Sequence, residues 1–337
     1  MASSACDVHK TSEPQNGEEG KVKFEDKLKT LDKGDFWTPP VNLYRYEGFW
    51  FFPDFLEGIM LAQEQFKSHP NDIILCTAPK AGTTWIKALA FAILSRHGYD
   101  FSSNPLLTTI SHECVRYIEV DYIRNWTKRD PEIPLLATHM PYTSLPKSVM
   151  DSGCKIVYVG RDPKAVLVSL WHFLLKLGRK DKVQFPIEKA HELFCEGVSS
   201  YGPYWDHALG YWKASLERPN NVLFFKYEDM KRDPCSHVKR LAEFLGTPFS
   251  GEEEADAAVE KVIKLCSFET LSKLEVNKTG HIDSPSMPLA NNLFFREGES
   301  KDWVNHLSKE MAERIDRISV EKFKDFGLSF DVPTEQE

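Results

Sequence analysis

Three groups of residues carry side chains suited to holding an anion beside a neutral nucleophile. The first is Pro79-Lys80-Ala81-Gly82-Thr83-Thr84-Trp85. Gly82 lets the backbone approach an anion closely, Thr83 and Thr84 offer hydroxyls and uncapped amides at a helix start, and Lys80 adds a mobile positive charge. Together they form a phosphate cradle, unless the stretch is an ordinary strand-to-helix turn with a solvated lysine. The second group is Thr138-His139-Met140-Pro141. A neutral imidazole here can take a proton from a hydroxyl, although a lone histidine serves equally well as a structural residue. The third comprises Arg161 with Ser169, and Arg296 ahead of Glu297 and Gly298. A guanidinium fork matches a terminal phosphate. Arg161 can instead pair with Asp162 or a nearby glutamate, and the Arg296 stretch can be a plain surface loop.

These groups need elements to bring them together, and the chain supplies a regular alternation. Ile73-Ile74-Leu75-Cys76 is a short apolar run bounded by turn residues, which reads as a buried strand; Ile86, Leu89, Ala90, Ile93 and Leu94 then recur at helical spacing. Further buried strands are expected at Ile133 to Thr138, Cys154 to Gly160 and Asn221 to Phe225. The second of these leads into Asp162-Pro163, a capping residue and a first-turn proline, and a helix through Val166, Leu167, Leu170 and Phe173. The spacing predicts other helices over Leu56 to Phe66, Phe194 to Trp212, Val238 to Leu245 and Gly251 to Cys266, and again through Met311, Ile315 and Ile318. Strands alternating with helices define an α/β fold with a central parallel sheet flanked by helices. In open parallel sheets the site lies past the carboxyl ends of the strands, where the lysine loop, His139 and Arg161 all fall.

Bulk composition narrows the partners. The 337 residues can bury a sizeable core. Lys plus Arg number 42 against 50 Asp plus Glu, a net charge of -8, which argues against nucleic acid as a partner. The seven cysteines include no Cys-x-x-Cys pair, which favours a reducing compartment and gives no zinc site. No stretch approaches the ~20 apolar residues that span a bilayer, and the N-terminus has no apolar core behind positive charge. A cytoplasmic location is expected. Residues 1–21 are polar and rich in Ser, Glu, Gly and Lys, which predicts a disordered tail ahead of a single domain over 22–332.

The pattern Pro79-Lys80-x-Gly82-Thr83-Thr84-Trp85 departs from the nucleoside-triphosphatase loop, because its lysine precedes the glycine and no Gly-Lys-Ser/Thr follows. It resembles the sulfonate-donor loop of cytosolic sulfotransferases. Thr138-His139-x-Pro141, Arg161 to Ser169, Ser200-Tyr201-Gly202, Tyr227-Glu228-Asp229-Met230, Cys266-Ser267-Phe268 and Phe295-Arg296-Glu297-Gly298 follow in that family's order, from about Tyr46 to Phe326. Cys-Ser-Phe-Glu-Thr-Leu at 266 to 271 and Asp302-Trp303-Val304-Asn305 look most like the plant branch. The resemblance implies 3'-phosphoadenosine 5'-phosphosulfate (PAPS) as co-substrate and no metal. On it, Lys80, Ala81, Gly82, Thr83, Thr84 and Trp85 would hold the phosphosulfate and stack the adenine. Arg161, Ser169 and Arg296, with Glu297 and Gly298 in the same motif, would hold the 3'-phosphate; Tyr201, Cys266 and Phe268 would line the nucleotide site. His139 would be the base, and Lys80 would also neutralise charge on the bridging oxygen.

The chain departs from the family at Ala81, where Ser is usual, at Ala137, where animal members carry Lys, and at Glu297, where Lys is usual. Ser308 and Lys309 replace the Thr-Val of the animal dimer motif, so a monomer is expected. The acceptor is expected to be a small apolar hydroxyl compound, of flavonoid, steroid, hydroxylated jasmonate or strigolactone-precursor type. Phe49 to Phe52, Tyr142, Trp171, Phe173 and Tyr204 are candidates for its pocket, or equally for the core. Two other readings stand beside this one: a P-loop kinase or nucleotidase, which needs a magnesium-binding carboxylate for which Asp162 is the candidate, and a non-catalytic nucleotide-binding protein.

Overall fold

An antiparallel sheet of β1 (Asp32–Asp35), β2 (Asn42–Tyr46) and β3 (Phe49–Phe51) precedes the main sheet. The computed structural model describes residues 17–37, 41–123, 133–177, 185–284 and 288–330. A helix over Gly17–Lys29 opens these, so residues 17–21, expected in a disordered tail, begin in helix; the rest of that tail lies outside the described residues. The aromatic cluster from Phe36 onward packs largely as core: Phe36, Trp37 and Phe51 are buried, and the small sheet that includes Phe51 is a feature the spacing did not predict.

The main sheet is all parallel, in the order β5 (Leu135–Thr138), β4 (Ile73–Thr77), β6 (Lys155–Gly160) and β7 (Val222–Lys226). Its strands read as unbroken apolar runs because both faces are covered. Ile74, Cys76, Ile156, Tyr158, Val222 and Phe224 enter one core layer, while Ile73, Leu75, Val157, Val159, Leu223 and Phe225 enter the other. That is the two-residue period of a strand shared between two helical layers. Each such side chain contributes about 1.5–3 kcal/mol on burial. Among the described residues no helix is long and apolar enough to cross a membrane, and six free cysteines are found.

The helices differ from their spacing at breaks. The expected helix from Phe194 to Trp212 is two, Ile187–Cys195 and Tyr204–Glu217. Ser200-Tyr201-Gly202 forms the turn between them, with Tyr201 in the left-handed region at φ 60°. Apolar residues recur on both sides of the turn, so periodicity alone ran through it. Gly251 to Cys266 likewise divides into Gly251–Ala255 and Ala258–Leu265 around Ala257 at φ 55°. The helix expected from Leu56 begins earlier, at Pro53, whose fixed φ suits a first turn.

Candidate active site

Four strands end on one edge, and each delivers a functional group within a few residues of its carboxyl end. Lys80 follows Thr77 of β4, His139 follows Thr138 of β5, Arg161 follows Gly160 of β6, and Tyr227 follows Lys226 of β7. Because the strands are parallel and in register, with Cys76 opposite both Thr138 and Tyr158, these groups converge by topology. They line one cavity of about 390 Å³, within the size range of small-molecule sites.

The loop after β4 is built for close approach. Gly82 has φ 120°, and a Cβ there would stand 2.9 Å from the Tyr227 ring, so only glycine fits. The helix Thr83–Ser95 starts without a side-chain cap, leaving its first amides free to meet an anion. Lys80 sits in the left-handed region at φ 68°, a conformation that costs a non-glycine residue about 1 kcal/mol. Arg161 donates from Nη1 to its carbonyl at 3.2 Å, which ties the two cations to one frame. The Lys80 ammonium rests 4.3 Å from the centroid of the Phe173 ring. Burial first, then the charges of Arg161, Arg296 and Lys176, bring its pKa down to about 7.

Arg161 is held from three sides. Its Nη2 donates to the Glu299 carbonyl at 3.0 Å, its guanidinium lies 4.5 Å from the Tyr227 ring centroid, and its buried Nε has no hydrogen-bond partner. It does not pair with Asp162, which instead caps the helix Pro163–Leu177 by accepting from the Lys164 amide at 2.9 Å. Glu228 stands 4.0 Å from Nε; burial raises its carboxyl to about 7, so its charge is weakened where it would compete with an anion. From the opposite side comes Arg296, paired with Asp302 at 2.6 Å.

His139 is oriented by two buried groups. Its Nδ1 lies 2.6 Å from the Thr77 carbonyl, an acceptor only, so Nδ1 carries the proton and Nε2 keeps its lone pair. Burial, followed by the charges of Lys87 and Lys80 among others, brings the imidazole pKa to about 3, which keeps the ring neutral. Its own amide and the Thr138 hydroxyl both donate to the Glu119 carboxylate at 2.8 Å, and the Tyr201 hydroxyl does so at 3.3 Å. Glu119 thus fixes the end of β5. Replacing it by Ala strands three buried donors, and we expect a loss of about 3 kcal/mol in unfolding free energy by urea titration. A variant as stable as the parent would show that Glu119 does not hold this strand end.

Lys80, Gly82, Thr83, Thr84, Trp85, His139, Arg161, Ser169, Cys266, Phe268, Arg296, Glu297 and Gly298 all line the cavity. Ala81 and Tyr201 do not: Ala81 is fully buried in the turn, and Tyr201 packs beside His139 with ring centroids 5.4 Å apart. Of the aromatics considered for an acceptor pocket, only Phe173 lines the cavity. Phe49, Phe51 and Tyr204 are core, and the Tyr204 hydroxyl serves the backbone of Arg161. Glu119, His112 and Tyr117 were missed. They fall in a polar stretch without periodicity, and only β5 docking beside Tyr117 through Ala137 reveals their place.

A family model described as a sulfotransferase domain matches residues 70–327. A flavonol 3-sulfotransferase of Flaveria bidentis is 48% identical over 309 residues, covering 90% of this chain and 99% of that one. Cytosolic sulfotransferase 17 of Arabidopsis thaliana is 47% identical over 323 residues, 94% of this chain and 93% of that one. Among solved structures, a mouse sulfotransferase complexed with PAP superposes with TM-score 0.64 at 25% identity, covering 85% of this chain and 95% of that one. With the lysine loop, His139 and Arg161 meeting at one sheet edge, the chain belongs to the sulfotransferase family, in its plant cytosolic branch, and is an enzyme that transfers sulfate to hydroxyl acceptors.

Proposed function

We propose that the enzyme moves a sulfonate from PAPS to a hydroxyl of a small apolar acceptor, with His139 as general base. The observation that carries this reading is the 2.6 Å bond from His139 Nδ1 to the Thr77 carbonyl, which leaves the other ring nitrogen unprotonated in the cavity that also holds Lys80. The site suits a polyanionic nucleotide on its own terms. Lys80, Arg161 and Arg296 line it together, the Arg161 Nε is buried without a hydrogen-bond partner, and the glycine turn leaves room that a Cβ would fill. Lys80, Gly82, Thr83 and Thr84 hold the phosphosulfate, and Trp85 and Phe268 flank the base. Arg161, Ser169 and Arg296 hold the 3'-phosphate. As the acceptor oxygen attacks sulfur, His139 removes its proton and Lys80 stabilises the departing phosphate oxygen, in an in-line transfer with a loose transition state.

The acceptor is an aromatic alcohol of the flavonol class. Phe173 and Phe294, which both face the Lys80 ammonium, and Tyr117 beside His139 give the cavity flat apolar walls, and the relative from Flaveria bidentis acts on flavonols. The protein works in the cytoplasm, without nucleic acid or membrane partners. It works as a monomer, because Ser308 and Lys309 replace the Thr-Val pair of the animal dimer motif. Light scattering at twice 38.7 kDa would overturn this.

Calorimetric titration with 3'-phosphoadenosine 5'-phosphate (PAP), the nucleotide left when PAPS gives up its sulfonate, beside ATP and without metal, tests the donor assignment. PAP binds and ATP does not; preference for ATP, or binding of neither, removes PAPS from the reading. Glu297 is exposed at the cavity mouth, and its charge opposes a phosphate by at most about 1 kcal/mol through solvent. Glu297→Lys therefore tightens PAP up to about fivefold in the same titration.

A further inference from the structure

Next to the cavity, but outside its wall, two imidazoles and a carboxylate turn toward one another. His172 stands on the helix Pro163–Leu177, and His306 follows the 3-10 turn Asp302–Asn305. The His172 and His306 Nε2 atoms are 3.3 Å apart, and His306 Nε2 is 3.2 Å from Asp302 Oδ2. The three ligand atoms all lie within 4.8 Å of one another. Metal–ligand bonds of 2.0–2.1 Å at tetrahedral angles place neighbouring ligand atoms about 3.4 Å apart. The two short spacings are therefore edges of such a tetrahedron.

Two neutral rings meeting through Nε2 satisfy each other only by pointing one N–H at the other ring, which leaves no proton for the carboxylate oxygen at the same His306 nitrogen. Asp302 adds an acceptor beside the same nitrogens. Asn305 donates from Nδ2 to Asp302 Oδ1 at 3.3 Å, orienting the carboxylate as an outer partner does in metal sites. We propose that His172, His306 and Asp302 form a binding site for a divalent transition ion of the zinc type. Two nitrogens and one carboxylate favour zinc, cobalt or nickel over magnesium or calcium, and leave a fourth position for water.

The ion would compete with Arg296. Asp302 Oδ2, which would ligate it, is the oxygen that Arg296 holds at 2.6 Å. Occupancy releases the guanidinium toward the cavity that it lines, and an anion that draws Arg296 away frees Asp302 for the ion. The two events therefore help each other by the same factor. The bearing on donor affinity rests on the reading given under Proposed function; the metal site does not.

Cobalt is the probe, since four-coordinate cobalt absorbs strongly in the visible and reports its own geometry. Full-length protein freed of metal by chelator takes up one cobalt with a tetrahedral spectrum. His172→Ala and His306→Ala weaken uptake at least about 100-fold, more than loss of an outer partner costs, while their melting temperatures stay near the parent's. Absence of the spectrum, or its survival in the double variant, overturns the site. Arg296→Met, which removes the competing cation, tightens cobalt severalfold; unchanged affinity overturns the competition. PAP then binds more tightly to the cobalt-loaded parent than to the metal-free one. Equal affinity overturns the link to the donor, whereas failure of PAP to bind either form overturns the donor reading instead.

Discussion

His139→Ala lowers kcat by about 10²- to 10⁴-fold, the contribution expected of a positioned general base, while PAP binds within about twofold of the parent. The separation follows from geometry. The imidazole is fixed by the Thr77 carbonyl and by Glu119 through its own amide, so the side chain can be removed without disturbing the loop at Lys80 or the fork at Arg161. The ring is neutral because burial and nearby cations hold its pKa at about 3. A base that weak would accept a proton reluctantly. The part of that depression that comes from Lys80, which lines the same cavity, is what a polyanionic donor offsets when it fills the cavity, so basicity rises when it is needed. Turnover is measured with saturating PAPS and a flavonol, alongside calorimetry with PAP. Unchanged turnover takes His139 out of the mechanism; lost nucleotide binding means that it holds the donor.

The parts of this site that lie within a few residues of a strand end were legible in the sequence, since an apolar run followed by Lys-x-Gly-Thr-Thr, by Thr-His or by Arg-Asp-Pro carries its position with it. Parallel pairing of β5, β4, β6 and β7 then brings those ends together. What could not be read depends on packing between distant segments. Glu119 looks like one acidic residue among many until β5 docks beside it, and its partners Thr138, His139 and Tyr201 lie as far as 82 positions away. Aromatic density was equally mute: Phe49, Tyr204 and Phe173 are chemically alike, yet only Phe173 reaches the cavity. Helix breaks at Tyr201 and Ala257 escaped because a left-handed residue without glycine leaves no mark in hydrophobic spacing. Tyr201, placed in the nucleotide site by resemblance, packs beside His139 and donates to Glu119.

Lys80→Met should cost turnover about 10²- to 10³-fold, the loss typical of removing one preorganised group that stabilises transition-state charge. Its sharper signature is in pH. In the free protein, burial and the surrounding cations bring the Lys80 pKa from 10.5 to about 7. A phosphosulfate beside the ammonium favours its charged form, so the bound-state pKa lies higher. Above pH 7, therefore, binding takes up a proton, and PAP affinity falls as pH rises, by up to about tenfold per pH unit until the bound-state pKa is reached. Below pH 7 the lysine is already charged, and this dependence disappears. Lys80→Met should flatten the slope above pH 7 while leaving Arg161 and Arg296 in place. Stability moves with the opposite sign. The unfolded chain holds a proton that the folded one has lost, so the parent gains stability relative to Lys80→Met as pH rises from 7 toward 10.5. Calorimetric titration of PAP between pH 6 and 9 decides the matter. The same slope in parent and variant would place the titrating group elsewhere and leave Lys80 a fixed charge.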